Sequence, residues 1–201
     1  MSLFLIAVLM FFIGCSDSDA NDGTKKLSAA VKVNPETLTD IGDFTLPGSD
    51  GKSHTLSSYK SSKGIALIFV STECPVSNAY NNRMMDIYNG YAAKGITILG
   101  INSNREETMD EIKAHAAANG LNFVILKDEG SVVADKLGAS VTPEVYLLDS
   151  SLKLVYHGRI DDSRRPEEVS VKDFQAALDE LLAGRRILTP KTKAFGCTIK
   201  R

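Results

Sequence analysis

The sequence predicts an α/β domain: a mixed β-sheet flanked by helices on both faces, preceded by an N-terminal β-hairpin. Three observations lead there. Short apolar runs of strand length, at 65–70 and 96–101, alternate with segments whose apolar residues recur at helical spacing. Gly, Asn and Asp punctuate the joins. The last two strand segments are separated by only a turn, so parallel βαβ units end in an antiparallel pair.

The elements come in order along the chain. Asp43-Phe44-Thr45-Leu46 and Ser53-His54-Thr55-Leu56 flank Pro47-Gly48-Ser49-Asp50-Gly51-Lys52, a turn built from residues that set turn dihedrals. The run 65–70 is uniformly apolar, as a strand covered on both faces requires. Tyr80, Met84, Ile87 and Tyr91 lie on one helical face. Gly95 releases the second buried strand, 96–101. Ser103 with Glu106, or Asn104 with Glu107, has the spacing of a capping box and opens a helix whose apolar line is Met109, Ile112 and Ala116. A third strand spans 123–126 and a short helix, 132–137, stops at Gly138. Strands 144–148 and 152–157 come next, and Val171, Phe174, Leu178 and Leu181 mark a last amphipathic helix ended by Gly184.

The 201 residues carry 23 Lys+Arg against 25 Asp+Glu, a net charge of −2, so nothing electrostatic points to nucleic acid. Hydrophobic residues at 43% and charged residues at 24% exclude collagen, wholesale disorder and a polytopic membrane protein. Residues 3–13 form an unbroken apolar run, too short to span a bilayer and of the right length for a signal-peptide core. It ends Gly14-Cys15 and turns polar at once. That pattern resembles a bacterial lipoprotein signal, which implies cleavage before Cys15, lipid attachment at Cys15 and a cell-envelope location. The organisation read from the chain is a signal peptide at 1–14, a polar tether at 15–36, the α/β domain at 37–186 and a C-terminal tail at 187–201.

In open α/β sheets, function gathers at the carboxyl ends of the parallel strands. The first such end reads Ser71-Thr72-Glu73-Cys74-Pro75. Cys74 leaves a buried strand and enters a helix, with Pro75 at its first position, where backbone N–H groups and the macrodipole stabilise a thiolate. The alternative is an inert buried Cys. Glu144 stands at the same end of the sheet and could relay a proton to a leaving thiol. The three His are scattered over a hairpin, a helix and a strand end, and are read as solvated or structural. Arg159, Asp161 and Asp162 read as a solvated charge cluster. No closed metal-site spacing appears, and neither a metal nor a cofactor is expected.

Cys74-Pro75-Val76-Ser77, with Val141-Thr142-Pro143-Glu144 before a later strand, resembles the thioredoxin-like redoxin family, which includes alkyl hydroperoxide reductases, thiol-specific antioxidant proteins and TlpA/ResA-type thiol oxidoreductases. The resemblance covers about residues 33–186. The stretch Cys74-Pro75-Val76-Ser77-Asn78-Ala79-Tyr80 and the ending Gly196-Cys197-Thr198-Ile199-Lys200-Arg201 are similar to a bacterial subgroup of such proteins. It implies a thioredoxin-like fold, a cis Thr142–Pro143 bond facing the reactive Cys74, and contacts to a bound thiol or peptide from Ser71, Thr72, Pro75, Ser77, Thr142 and Pro143. Partners would be an external thiol or disulfide reductant, a protein disulfide, or a peroxide, with the membrane reached through the lipid anchor.

Departures from the family pattern are plain. The second Cys of a dithiol motif is Ser77, the residue before Cys74 is Glu73 instead of Trp, Leu67 stands where a peroxiredoxin keeps Pro, and Thr142-Pro143 occupies the neighbourhood of the peroxide-binding Arg. The leading expectation is thiol–disulfide exchange at Cys74, with peroxide reduction on the same Cys74 as the alternative and a copper-handling protein resembling the Sco group as a rival class. Cys197, 123 residues beyond Cys74, is either the thiol that resolves oxidised Cys74 or a free or intermolecular Cys. In the resolving case the reduced tail is expected to be mobile and to dock on oxidation.

Overall fold

The computed structural model describes residues 41–201; the expected signal peptide, Cys15 and the expected tether fall outside the described residues. A five-stranded mixed sheet of order β5-β4-β3-β7-β8 forms the centre. Strands β3 (Gly64–Phe69), β4 (Ile96–Asn102) and β5 (Ile125–Lys127) run parallel, while β7 (Glu144–Asp149) and β8 (Leu154–Gly158) are antiparallel to their neighbours. The expected hairpin is β1 (Thr45–Pro47) paired with β2 (Ser53–Thr55).

Period-two alternation divides the sheet's side chains between two cores. On one face Ala66, Ile68, Val70, Val145 and Leu147 pack against α2 (Asn81–Tyr91), α3 (Met109–Ala118) and α5 (Asp173–Leu182). On the other Ile65, Leu67, Phe69, Tyr146 and Leu148 meet Leu56, beyond the hairpin, and α4 (Val132–Leu137). Every residue of β3 is buried, so this strand holds its carboxyl end rigidly at the centre of the sheet.

Two expectations change. Thr108 and Glu111 make the capping box of α3, each binding the other's backbone, and neither Ser103 with Glu106 nor Asn104 with Glu107 does so. Val171 is 48% exposed and precedes α5 instead of lying on its apolar face.

The tail is built into the fold. After Gly184, at φ +64°, Ile187 inserts into the first core. The chain then runs along the open edge of β8: His157 N–H donates to the Pro190 carbonyl (2.9 Å) and Thr192 N–H to the His157 carbonyl (3.0 Å). Gly158 permits this approach, since a Cβ there would meet Thr192 Oγ1 at 2.0 Å. The tail ends in β9 (Cys197–Thr198), antiparallel to β6 (Val141–Thr142), with Thr142 opposite Cys197.

Candidate functional site

Cys74 caps α1 (Pro75–Ala79) with an extended backbone, and its Sγ accepts from Ser77 N–H at 3.2 Å while its thiol donates to the Thr142 carbonyl at 3.3 Å. This is the third-position bond that a good N-cap residue makes, with Pro75 first in the helix where no N–H is missed. α1 has five residues before Tyr80 turns the chain into α2, so one named N–H, more than a long dipole, supports the sulfur. The side chain is almost fully buried. Burial pushes the thiol up, but hydrogen bonds from Cys197, Thr142 and Ser77 outweigh it and hold Cys74 below the ordinary thiol value.

Beneath this helix start lies a polar clasp. Ser71 Oγ accepts from Cys74 N–H (3.0 Å) and Glu73 N–H (3.2 Å) and donates to Glu107 Oε1 (2.5 Å). Glu107 Oε2 accepts from Thr72 N–H (2.6 Å), the Thr72 hydroxyl (2.8 Å) and Asn102 Nδ2 (2.6 Å). Burial pushes the Glu107 carboxyl up; the Ser71, Thr72 and Asn102 donors outweigh it and keep it below the usual carboxylate range. Ser77, where a dithiol protein has its second Cys, is buried and uses its hydroxyl to accept from Ser71 N–H (3.2 Å). Asn78 ties the loop to α3, donating to the Thr72 carbonyl and pairing with His115 at 2.9 Å.

Sequence reasoning misses Glu107, assigning it to a helix cap, yet a signal exists. Phe69 and Ile101 are partners in the β3–β4 ladder, so the residues just past β4 must lie beside those just past β3. A carboxylate five residues beyond Asn102 therefore falls next to Ser71-Thr72.

On the other side of the sulfur, the Thr142–Pro143 bond is cis, as the resemblance implied. β9 lies against Thr142, and Gly196 makes this possible, because a Cβ there would sit 1.9 Å from the Thr142 carbonyl oxygen. Cys74 and Cys197 are both free thiols, and each acts on the other's ionisation. Burial and the neighbouring Cys74 push the Cys197 thiol up. The expectation of a tail that docks only on oxidation is corrected. It is fastened with both thiols reduced, because its backbone completes two strand edges and Ile199 fills a hole in the second core.

Glu144 stands at the expected end of the sheet, but its side chain is engaged elsewhere. In the β3–β7 ladder it stands opposite Phe69, so its side chain goes to the face of Phe69 and Tyr146, away from that of Val70 and Tyr80. Its carboxylate accepts from Ser140 N–H (2.8 Å), Val141 N–H (3.2 Å) and the Tyr146 hydroxyl (3.3 Å), and pairs with His157 Nε2 at 2.6 Å. None of these contacts reaches Cys74. His157 stacks on Tyr146 with ring centroids 4.2 Å apart, a structural role as expected. Asp161 corrects the solvated-cluster reading: it is buried, receives the Tyr80 hydroxyl (2.8 Å) and pairs with Arg83 (2.7 Å), while Arg159 pairs with Asp173 (2.6 Å). Of the predicted site residues, Ser71, Ser77 and Thr142 bond to Cys74, Pro75 follows it into α1, Cys197 acts on its thiol, Thr72 belongs to the Glu107 clasp, Pro143 follows Thr142, and Glu144 makes no bond to it.

The sheet order, the helix-capping Cys after the central strand and the cis-Pro loop beside it define a thioredoxin-like fold with one thiol at the helix start and a second delivered by the tail. The AhpC/TSA family model matches residues 39–157, and the chain belongs to that family. A hypothetical protein of Sinorhizobium meliloti has a solved structure similar to this one, 35% identical, with a TM-score of 0.75, covering 83% of this chain and 96% of that one. The chain is 28% identical over 113 residues to the thiol-disulfide oxidoreductase ResA of Halalkalibacterium halodurans, covering 56% of this chain. It is 26% identical over 134 residues to chloroplastic peroxiredoxin Q of Populus jackii, covering 62% of this chain. The chain spans 62% of the length of each of these two relatives. Both belong to thiol chemistry. The copper-handling rival finds no support: among the described residues no three His, Cys, Asp or Glu side chains gather where a metal ion could be held.

Proposed function

We propose that this is a thiol redox protein of the cell envelope in which Cys74 attacks a disulfide and Cys197 resolves the product. The observation that carries the reading is the register of β9, which sets Cys197 opposite Thr142, the residue whose carbonyl already receives the Cys74 thiol. The Cys74 thiolate would attack a disulfide R–S–S–R, forming Cys74–S–S–R and releasing R–S⁻. The Cys197 thiolate would then displace the second R–S⁻ and close a Cys74–Cys197 disulfide. An external dithiol or two monothiols would return both residues to thiols and leave as disulfide. The lowered Cys74 value favours both its ionisation and its later departure as leaving group.

Peroxide reduction is the second reading, favoured by Arg164. Its guanidinium donates to the Pro75 carbonyl at 3.3 Å and its charge acts on Cys197, which sets a cation beside the sulfur pair although the usual Arg position is taken by Thr142-Pro143. Cys74 thiolate, ROOH and a proton would give Cys74 sulfenic acid and ROH; Cys197 would then condense with it, releasing water.

Peptide mapping after one equivalent of oxidised glutathione or of peroxide tests the reading. A Cys74–Cys197 disulfide is the expected product at low protein concentration. If Cys74 holds glutathione or sulfenic acid while Cys197 stays free, an external thiol must close the cycle and Cys197 has no resolving role. Lipid attachment at Cys15 belongs to the same proposal and rests on the apolar run ending Gly14-Cys15. Cys15→Ala should release the protein from membranes; unchanged membrane association with an uncleaved N-terminus would exclude the anchor.

A further inference from the structure

The residues beyond Cys197 are all fastened to the rim of the Cys74 site. Ile199 is buried in the second core and its N–H donates to the Ser140 carbonyl at 3.0 Å. Lys200 is held four ways. Its N–H donates to Asn104 Oδ1 (2.9 Å), its carbonyl accepts from Arg105 N–H (2.8 Å), and its Nζ pairs with Glu73 at 2.7 Å and Glu106 at 3.5 Å. Arg201 pairs with Asp135 and donates to the Ala139 carbonyl, both at 2.6 Å. Two basic residues thus meet three acidic ones drawn from the Cys74 loop, the β4–α3 loop and α4. The attachments bracket Cys197: Thr142 and the β8 edge lie before it, and this cluster lies after it.

From this the geometry points to residues 199–201 as a latch that positions Cys197 for its attack on oxidised Cys74. The inference rests on the Cys74–Cys197 reading and adds how the second thiol gains its advantage over thiols in solution. Each ion pair is half-exposed and individually weak. Their joint effect is positional. A thiol held in line competes as though present at very high local concentration, and about 1 Å of misplacement costs such reactions as much as a hundredfold. A latched tail closes the disulfide before a second external thiol arrives. An unlatched tail leaves Cys74–S–S–R standing, to be cleared by attack of R–S⁻ from solution, which regenerates Cys74 thiolate and R–S–S–R. Lys200 and Arg201 are positioning residues on this account, since neither touches a reacting sulfur.

The probe is oxidised glutathione on the full chain, with the Cys74–glutathione adduct and the internal disulfide tracked by acid quench and non-reducing peptide mapping. In the wild type the adduct should stay scarce. In K200E/R201E, whose changed side chains are exposed, the adduct should persist about tenfold longer or more, with the urea midpoint little changed. K200R should behave as wild type, and D135R/R201E, which restores an ion pair far from the sulfur, should recover part of the loss. Because the pairs are exposed, added salt should lengthen the adduct's life in the wild type and shorten it in K200E/R201E, where it screens repulsion instead of attraction, an opposite response that loss of packing would not produce. Equal adduct lifetimes in wild type and K200E/R201E, with both closing the internal disulfide, would overturn the latch alone. A wild type that never forms the internal disulfide would overturn the Cys74–Cys197 reading itself.

Discussion

Glu107 and Glu144 stand at the same end of the sheet, one behind each wall of the thiol site. Both are nearly inaccessible, and both are held below the usual carboxylate range by donors that outweigh burial. Their work differs. Glu107 gathers Ser71, Thr72 and Asn102, and through Ser71 fixes the N–H groups of Glu73 and Cys74. Glu144 gathers Ser140, Val141, Tyr146 and His157, the far side of the cis-Pro loop. The difference teaches that an acid's role is set by the strand face it leaves by and the donors it meets there. Glu144 is the neighbour of Pro143 in sequence and shapes the wall behind it; Glu107, distant in sequence, shapes the loop that carries the sulfur.

Replacing each by Ala separates them most widely. Glu107→Ala strands the buried Ser71 hydroxyl and Asn102 amide together with the part-buried Thr72 N–H and hydroxyl, and should cost about 3–5 kcal/mol. Glu144→Ala frees His157, a quarter exposed, and N–H groups near the surface, and should cost about 1–3 kcal/mol. Urea midpoints at constant m-value measure both. The sharper check is Cys74 alkylation in native conditions, which Glu107→Ala should disturb and Glu144→Ala should leave near wild type. Equal effects on Cys74 from the two variants would break the comparison.

The same contrast separates the legible parts of the sequence from the hidden ones. Uniform apolar runs and Gly stops announced β3, β4, α2 and α4, because burial on both faces and positive φ leave direct marks on composition. Cys74, Ser77 and Thr142-Pro143 were legible as a motif. Glu107 was hidden because its importance is a ladder relation between two strands. The tail was hidden for a similar reason: Pro, Thr and Lys look solvent-bound until Gly158 and Gly196 are seen to admit backbone against backbone.

Gly196→Ala acts next in size. A Cβ 1.9 Å from the Thr142 carbonyl cannot be accommodated by a side-chain shift, so β9 must leave β6. The cost should be about 1–3 kcal/mol, as for other overpacked contacts. Native alkylation of Cys74 should speed up as its cover lifts, and the Glu107 clasp should be untouched. An unchanged alkylation rate would mean that the tail does not limit access to the sulfur.

Acid should then titrate the molecule in two stages. Burial lowers His115 below its ordinary value of 6.5, so the folded state resists a proton that the unfolded chain accepts, and stability should begin to fall as pH drops below about 6.5. The depressed carboxyls act lower. Their contribution is complete above the unfolded value of 4.5 and is lost as pH falls through the folded values beneath it. Glu144→Gln should flatten the lower stage only, Glu107→Gln should flatten the lower stage and deepen the upper, because its charge partly offsets the burial of His115, and His115→Asn should flatten the upper. Urea titrations from pH 7.5 to 3 would show it, and a lower stage unchanged in both Gln variants would remove the carboxylates from the account.

The smallest effect is the most local. Cys74 and Cys197 each shift the other's ionisation, so their protons should leave in two steps that belong to the pair, the first centred on Cys74. Each direction has its own cause: at Cys74, donors to the sulfur overcome burial, while at Cys197 burial and the neighbouring sulfur act together. Alkylation rate against pH, read by peptide, should therefore give Cys74 the lower midpoint in the wild type. Cys197→Ser keeps a donor facing Cys74 and should change that midpoint little, whereas Cys197→Ala removes the donor and should raise it. Ser77 N–H, Thr142 and the backbone of residue 197 remain in both variants, so neither should return Cys74 fully to an ordinary thiol. If the Ala and Ser variants titrate alike, the lowered Cys74 value comes from Thr142, Ser77 and the Cys197 backbone, and the Cys197 side chain acts on Cys74 only after oxidation.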